Sequence, residues 1–181
     1  MLCGIDEAGR GCCAGDLVIA GCILDKDIES LNDSKKLTPK KRSEIYKEIV
    51  KNSQYHIVVC KSSKVDKLGI SLCMSEALRE IKQKLNANRY IFDGNTSFGI
   101  RDIETMIKAD ATVPEVSAAS ILAKVTHDTN IIEASKLYPE YGFEKHKGYL
   151  TKYHIEMIKK YGYCDIHRKS YKIKALEKTL F

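Results

Sequence analysis

The chain is poor in proline (three) and glycine (11) for its 181 residues, and no window approaches the roughly 18 apolar residues a membrane span requires. Scarce proline and glycine beside 44% apolar and 30% charged residues exclude collagen, disorder and coiled coil. Acidic residues by position six leave no basic lead before an apolar run, so the sequence predicts a soluble, cytoplasmic protein without membrane partners. There is no repeat, low-complexity tract or linker, and the length suits one domain, 1–181. Cys-X-X-Cys pairs are also missing. The seven cysteines (3, 12, 13, 22, 60, 73 and 164) are odd in number and scattered, which argues against a disulfide scaffold or a zinc knuckle and for reduced thiols used as small apolar residues. His56, His127, His146, His154 and His167 show no ligand spacing and are expected at phosphates or on the surface.

What is present is unevenly distributed. Residues 136–181 carry 11 Lys/Arg against 5 Asp/Glu, so the net +6 of the whole chain resides there. The same stretch holds Tyr138, Tyr141, Tyr149, Tyr153, Tyr161, Tyr163 and Tyr171. Basic residues interleaved with aromatics suit a phosphate backbone and its sugars, although a solvated helical face has the same composition. This quarter is read as a basic, Tyr-rich helical annex.

Periodicity predicts strands over Leu2–Asp6 and Leu17–Leu24, joined as a hairpin through Gly9, Gly11 and Gly15. Thr38-Pro39 opens a helix reaching about Val50. Tyr55–Cys60 reads as a buried strand, Ser71–Leu85 as a helix, Arg89–Phe92 as a strand closed by Asp93-Gly94, and Met106–Ala109 as a short apolar run ending at Asp110. Val116–Leu137 and Thr151–Tyr161 are further helices, and the tail from Ser170 is expected to be helical. The class is α/β: a mixed β-sheet flanked by helices, with a C-terminal helical segment and ligands off the carboxyl ends of the parallel strands.

Asp6, Glu7, Asp93 and Asp110 each follow an apolar strand-like run. A strand-end acid is most simply a turn or cap residue, but four that converge repel one another unless cations sit among them. Oxygen-only ligation favours magnesium or manganese over zinc. Because neighbouring side chains of a strand diverge, Asp6 and Glu7 can share an ion only if the strand breaks there.

The stretches GIDEAGRG (4–11), LNDSKKLTPKKR (31–42), IFDGN (91–95), IKADATVPEVSAASILAKVTHD (107–128), YGFEKHKGYLTKYH (141–154) and HRKSY (167–171) together resemble the type 2 ribonuclease H (RNase HII) family from end to end. The resemblance implies an RNase H-like fold. It also implies hydrolysis of the phosphodiester 5′ of ribonucleotides, in RNA/DNA hybrids and at single ribonucleotides embedded in duplex DNA. By the same resemblance Asp6, Glu7, Asp93 and Asp110 are the catalytic acids, holding two divalent ions, magnesium or manganese. Gly9, Arg10 and Gly11 match the element that reads the 2′-OH, and Tyr149 matches the tyrosine beneath the next sugar. Ser34, Lys35, Lys147, Arg168, Lys169 and Ser170 resemble phosphate-side contacts.

Cys12 and Asp16 stand where the family pattern leads one to expect proline, which predicts a less stiff loop beside the site. A thiol adduct at Cys12 or Cys13 is expected to disturb the substrate channel. The protein is expected to work as a monomer on hybrid or ribonucleotide-containing duplexes, and Leu180 and Phe181 are a candidate peptide for a replication clamp. A junction nuclease of the same broad fold would show the same acids, but the GRG and HKGY elements argue against it. A non-cutting duplex-binding module would lack the acids, and all four are present.

Overall fold

The computed structural model describes residues 1–31 and 37–177. Ser34, Lys35, Leu180 and Phe181, and the roles expected of them, lie outside the described residues. The chain opens with strands β1 (Leu2–Ala8) and β2 (Leu17–Leu24), then helix α1 (Pro39–Lys51), strand β3 (Ser53–Cys60), and helices α2 (Ser62–Leu68) and α3 (Ile70–Lys84). Strands β4 (Arg89–Asp93) and β5 (Glu104–Met106) follow, then a 3-10 turn (Ala109–Ala111) and helix α4 (Pro114–Ser135). A second 3-10 turn (Pro139–Tyr141), α5 (Phe143–His146), α6 (Lys152–Tyr161) and α7 (Lys174–Glu177) complete the described chain.

Among the described residues the strands form one five-stranded sheet in the order β3-β2-β1-β4-β5. β1, β2 and β3 pair antiparallel, while β1, β4 and β5 run parallel. The unbroken apolar run LVIAGCIL suits the interior position of β2, between β3 and β1, since both of its faces are covered. Leu17, Ile19 and Ile23 pack with Met74, Ala77, Leu78 and Ile81 of α3 on one side. Val18, Ala20 and Cys22 pack with Ile45 and Ile49 of α1 and Ala118, Ala119 and Leu122 of α4 on the other. Phe92 anchors the first of these layers with no exposure, and its truncation to Ala would cost about 3–5 kcal/mol.

Several elements depart from the sequence reading: α2 is an additional helix, and of the tail read as helical from Ser170 only Lys174–Glu177 is a helix among the described residues. β3 is an edge strand with Tyr55 and Val59 exposed, not a buried one, and among the described residues nothing pairs beyond it. Met106–Ala109 is no strand: β5 ends at Met106, Ile107 is 70% exposed, and Asp110 sits inside a 3-10 turn instead of at a strand end.

Helix starts follow local chemistry. Thr38 accepts a hydrogen bond from the Lys41 N–H at 3.2 Å, and Pro39 takes the first turn of α1. α4 lies against β1 so closely that a Cβ on Gly4 would stand 2.2 Å from the backbone of Glu115 and Val116. That approach brings the first half of α4 over the end of β1. The C-terminal segment docks through Tyr141, Phe143, Ile158 and Ile173 onto Cys13, Ala14 and Ile131, the loop after β1 and the far half of α4.

Candidate active site

β1 continues through Asp6 and Glu7 to Ala8, so the expected strand break is absent. Asp6 pairs with Ala20 and Glu7 with Ile19, whose side chains belong to opposite layers, so Asp6 faces α4 and Glu7 the α3 side. The break comes at Gly9, with φ +84°, where the sheet has run out and Glu7 comes within electrostatic reach of Asp93 around the strand end. Ile5 pairs in parallel with Phe92, which sets Asp6 and Asp93 side by side at the carboxyl ends of adjacent strands. Asp93 accepts the Lys108 N–H through Oδ1 at 3.0 Å and the Asp110 N–H through Oδ2 at 3.2 Å. Those two bonds draw the 3-10 turn onto the site and hold Lys108 in a left-handed conformation, φ 60°, uncommon outside glycine. Asp110 thus arrives by a turn captured by Asp93, a route the sequence pattern could not display.

The electrostatics are those of crowded carboxylates. Burial, with the charges of Glu7 and Asp93 added, pushes Asp6 up to about 8 against a hydrogen bond from Ser120 of α4. Burial raises Glu7 as well, aided by Asp93 and opposed by Arg10. Asp93 is raised by burial and by the Asp110 carboxyl despite its two backbone donors. Glu7 Oε2 is buried with no hydrogen-bond partner among the described residues. Among the described residues no group of three or more His, Cys, Asp or Glu is arranged to hold a metal ion by itself. An all-oxygen donor set with an orphaned carboxylate oxygen nevertheless fits a hard divalent ion. Magnesium in particular binds through one or two carboxylates and completes its shell with waters and substrate oxygens. Ser120 went unassigned in the sequence; only its place in ASILAK, in the second turn of a buried helix, pointed to it.

The GRG element borders the acids. Gly9 must lack a side chain, since a Cβ there would fall 2.5 Å from both the Asp16 carbonyl oxygen and the His127 ring. Arg10 is exposed, with Nη1 3.4 Å from Glu7 Oε1 and its guanidinium 5.4 Å over Phe98. Gly11 is exposed, with open space where a Cβ would point. Tyr149 is 47% exposed at the turn before α6, beside Lys124 Nζ at 5.8 Å from its ring centre. Lys124 and His127 both bond Asp128, at 2.8 and 3.1 Å. Although burial would raise the Asp128 carboxyl, these two bonds hold it below its ordinary value.

The loop beyond GRG is firmly held without proline. Cys12 N–H bonds Gly9 O at 3.2 Å, Cys13 N–H bonds Gly148 O at 3.0 Å and Gly15 N–H bonds Ile166 O at 2.9 Å. Asp16 accepts from Lys61 at 2.9 Å and Asn130 at 3.1 Å. The expected loosening at Cys12 and Asp16 is therefore offset by neighbours distant in sequence.

Several expected phosphate contacts are placed otherwise. Arg168 has no exposure and cannot meet a phosphate; its Nε donates to Gly15 O at 3.0 Å and its Nη1 to Arg10 O at 3.3 Å. Ser170 gives its hydroxyl to Asp66 at 2.6 Å, and the Lys169 and Ser170 N–H groups bond the same carboxylate. Lys169 keeps an exposed side chain. Lys147 donates to the Glu144 carbonyl and lines a groove of about 230 Å³ with Arg42, Ser43 and Thr129 between α1 and α4. The histidines divide too: His127, His154 and His167 are buried, not surface residues.

A mixed sheet with carboxylates at the ends of adjacent parallel strands, closed by a long helix, is the arrangement of an RNase H-like nuclease, a metal-dependent endonuclease class. Residues 3–174 match the model of the family Ribonuclease HII, and the chain belongs to that family. A ribonuclease HII from Sulfurovum sp. (strain NBC37-1) is 56% identical over 181 residues, covering 99% of this chain and 96% of that one. Among solved structures, the RNase HII of the PCNA:RNase HII complex from Archaeoglobus fulgidus superimposes with a TM-score of 0.83 at 26% identity, covering 96% of both chains. The ribonuclease H2 from Pyrococcus horikoshii OT3 does so at 0.77 and 27%, covering 98% of this chain and 95% of that one. Among the described residues no helix is long and apolar enough to cross a membrane.

Proposed function

We propose that the protein hydrolyses the phosphodiester 5′ of ribonucleotides, in RNA/DNA hybrids and at single ribonucleotides within duplex DNA, leaving a 3′-OH and a 5′-phosphate. The observation that carries this is the convergence of Asp6, Glu7, Asp93 and Asp110 at the strand ends, with the exposed Arg10 of the GRG turn 3.4 Å from Glu7 and the exposed Tyr149 ring beside Cys12, the residue that follows that turn. Asp6, Glu7, Asp93 and Asp110 would hold two divalent ions, magnesium or manganese. Such ions supply a water acidified to near neutrality and charge stabilisation for the phosphate under attack. Gly9, Arg10 and Gly11 approach the ribose closely and sense its 2′-OH, which can both donate and accept. Tyr149 offers its face to the next sugar, and the apolar ring favours a deoxyribose there, because a 2′-OH pressed on it would lose its water without a partner. An external water attacks and the 2′-OH is recognised without reacting, hence the 3′-OH and 5′-phosphate ends.

Lys147, Lys169 and the exposed cations of 136–181 supply phosphate contacts within a single domain, with that segment as its annex. The A. fulgidus relative is in complex with PCNA, which supports a replication clamp as a partner here, with Leu180 and Phe181 the proposed peptide. The protein is taken to act as a cytoplasmic monomer. The test is a duplex with one ribonucleotide, incubated with magnesium, with manganese, and with neither. Metal-dependent cleavage on the 5′ side is expected. Binding without cleavage, or cleavage of an all-DNA junction instead, would overturn the reading.

A further inference from the structure

Arg168 and Tyr171 lie outside the carboxylate cluster, yet both act on one peptide unit of the GRG turn. The Arg10 carbonyl accepts two bonds, from Arg168 Nη1 at 3.3 Å and from the Tyr171 hydroxyl at 2.9 Å. That hydroxyl in turn accepts from Arg168 Nη1 at 2.9 Å, so the three groups form a closed triangle. Arg168 Nε meanwhile holds Gly15 O at the other end of the loop, at 3.0 Å. The arginine is itself fixed: its N–H donates to Cys13 O at 2.8 Å, and Asp66 of α2 grips the next two residues through both backbone N–H groups and the Ser170 hydroxyl. A guanidinium with no exposure, and with no salt bridge among the described residues, is a costly thing to bury; here Nε and Nη1 are met by two carbonyls and the Tyr171 hydroxyl, while Nη2 is buried with no partner among the described residues.

In a trans peptide the C=O and the following N–H point in opposite directions. Drawing the Arg10 carbonyl inward therefore turns the Gly11 N–H outward. Gly11 is exposed, and among the described residues its N–H makes no hydrogen bond. We infer that Arg168 and Tyr171 are positioning residues, which aim the Gly11 amide as a fixed hydrogen-bond donor toward the ribose of the substrate. The inference rests on the proposed reading of GRG as the 2′-OH sensor and assigns the groups that orient it.

The test uses Tyr171→Phe, which keeps the ring and removes only the hydroxyl, and Arg168→Lys, which keeps the charge and removes the fork. On a duplex with one ribonucleotide, kcat should fall about tenfold or more in each variant, the scale of a misaligned reactant, while Kd for an all-DNA duplex of the same sequence stays within about twofold. Independently of activity, the Gly11 amide resonance should shift and its hydrogen exchange change in both variants. Wild-type kcat with an unmoved Gly11 resonance overturns the inference. So does a loss of activity that vanishes when the variants are assayed well below their melting temperatures, since the role would then be stability alone. Should Arg168→Lys fail to fold, Tyr171→Phe decides. If the wild-type protein cuts no ribonucleotide, the proposed function falls while the Gly11 resonance still settles whether the brace exists.

Discussion

His154 and His167 meet ring to ring, Nε2 to Nε2 at 3.0 Å, in the interior of the C-terminal segment. The Cys164 N–H donates to His167 Nδ1 at 2.9 Å, so His167 carries its proton on Nε2 and gives it to His154. His154 then carries its own on Nδ1, which donates to Tyr149 O at 3.0 Å. Both rings are neutral in this chain of bonds, and it ties the backbone of Tyr149 to the tail.

Acid should undo that arrangement. Burial lowers His154 and His167 from 6.5 to about 4 each, with the charge of neighbouring histidines adding to the effect. Between those values the unfolded chain binds more protons than the folded one, so stability is full above about 6.5 and falls as the pH drops toward 4. The loss should be on the order of 3 kcal/mol for each ring that takes up a proton, read as a falling urea midpoint. A His154→Gln, His167→Asn double variant should show a flatter midpoint over that window; an unchanged slope would assign the acid lability to other groups.

Asp93→Asn should lower cleavage in magnesium to a few per cent of wild type or less, on the order of the usual loss for a metal ligand. Because both Asp93 oxygens accept backbone N–H groups, an amide can keep only one of these bonds, and a stability loss of about 1 kcal/mol should accompany the change. Magnesium should raise the wild-type melting temperature and leave that of the variant unmoved.

Tyr149→Ala should reduce cleavage at a single embedded ribonucleotide by about a hundredfold, if a stacked sugar contributes roughly 1–3 kcal/mol and also places the phosphate. Tyr149→Phe should be milder. The ring is half exposed, so neither variant should melt appreciably earlier than wild type. A wild-type rate in the alanine variant would remove Tyr149 from the substrate channel.

The thiols beside GRG should be inert. Cys12 and Cys13 are buried, they donate to Lys147 O and Gly148 O, and burial pushes them up to about 11 and about 12. A disulfide reagent should therefore modify them only as fast as the protein opens, and the native enzyme should keep its activity, contrary to what their proximity to the channel suggests in sequence. Rapid inhibition, prevented by Cys12→Ala, would show that one of them is accessible.

Phosphate binding by the annex is best probed by charge, not truncation. Removing everything past Tyr163 would also remove Arg168 and Tyr171 from the GRG loop. Lys172→Gln, Lys174→Gln instead alters two exposed side chains. Duplex affinity should weaken alike for every sequence, and the salt slope should fall by about 1 per lost contact. An unchanged slope would leave these lysines as solvated surface.

Local chemistry made much of this protein legible in one dimension. The run LVIAGCIL announces a strand paired with the first, Thr38-Pro39 a helix start, and the spacing from Ala119 to Ile131 a long buried helix. The acids could be singled out because each stands where an apolar run stops. Tertiary structure alone decided that Asp110 is delivered by a turn bonded to Asp93, that Glu7 reaches the site from the opposite face of an unbroken strand, and that Ser120 joins Asp6. It also moved Arg168 from the surface to the core and paired His154 with His167. The reason is physical: period and turn chemistry are set by neighbours a few residues away, whereas burial and hydrogen-bond partnership depend on residues 13 (His154 to His167), 17 (Asp93 to Asp110) or 158 (Arg10 to Arg168) positions apart. An arginine in a basic, Tyr-rich stretch looks the same whether it faces a phosphate or the Arg10 carbonyl until the chain has closed around it.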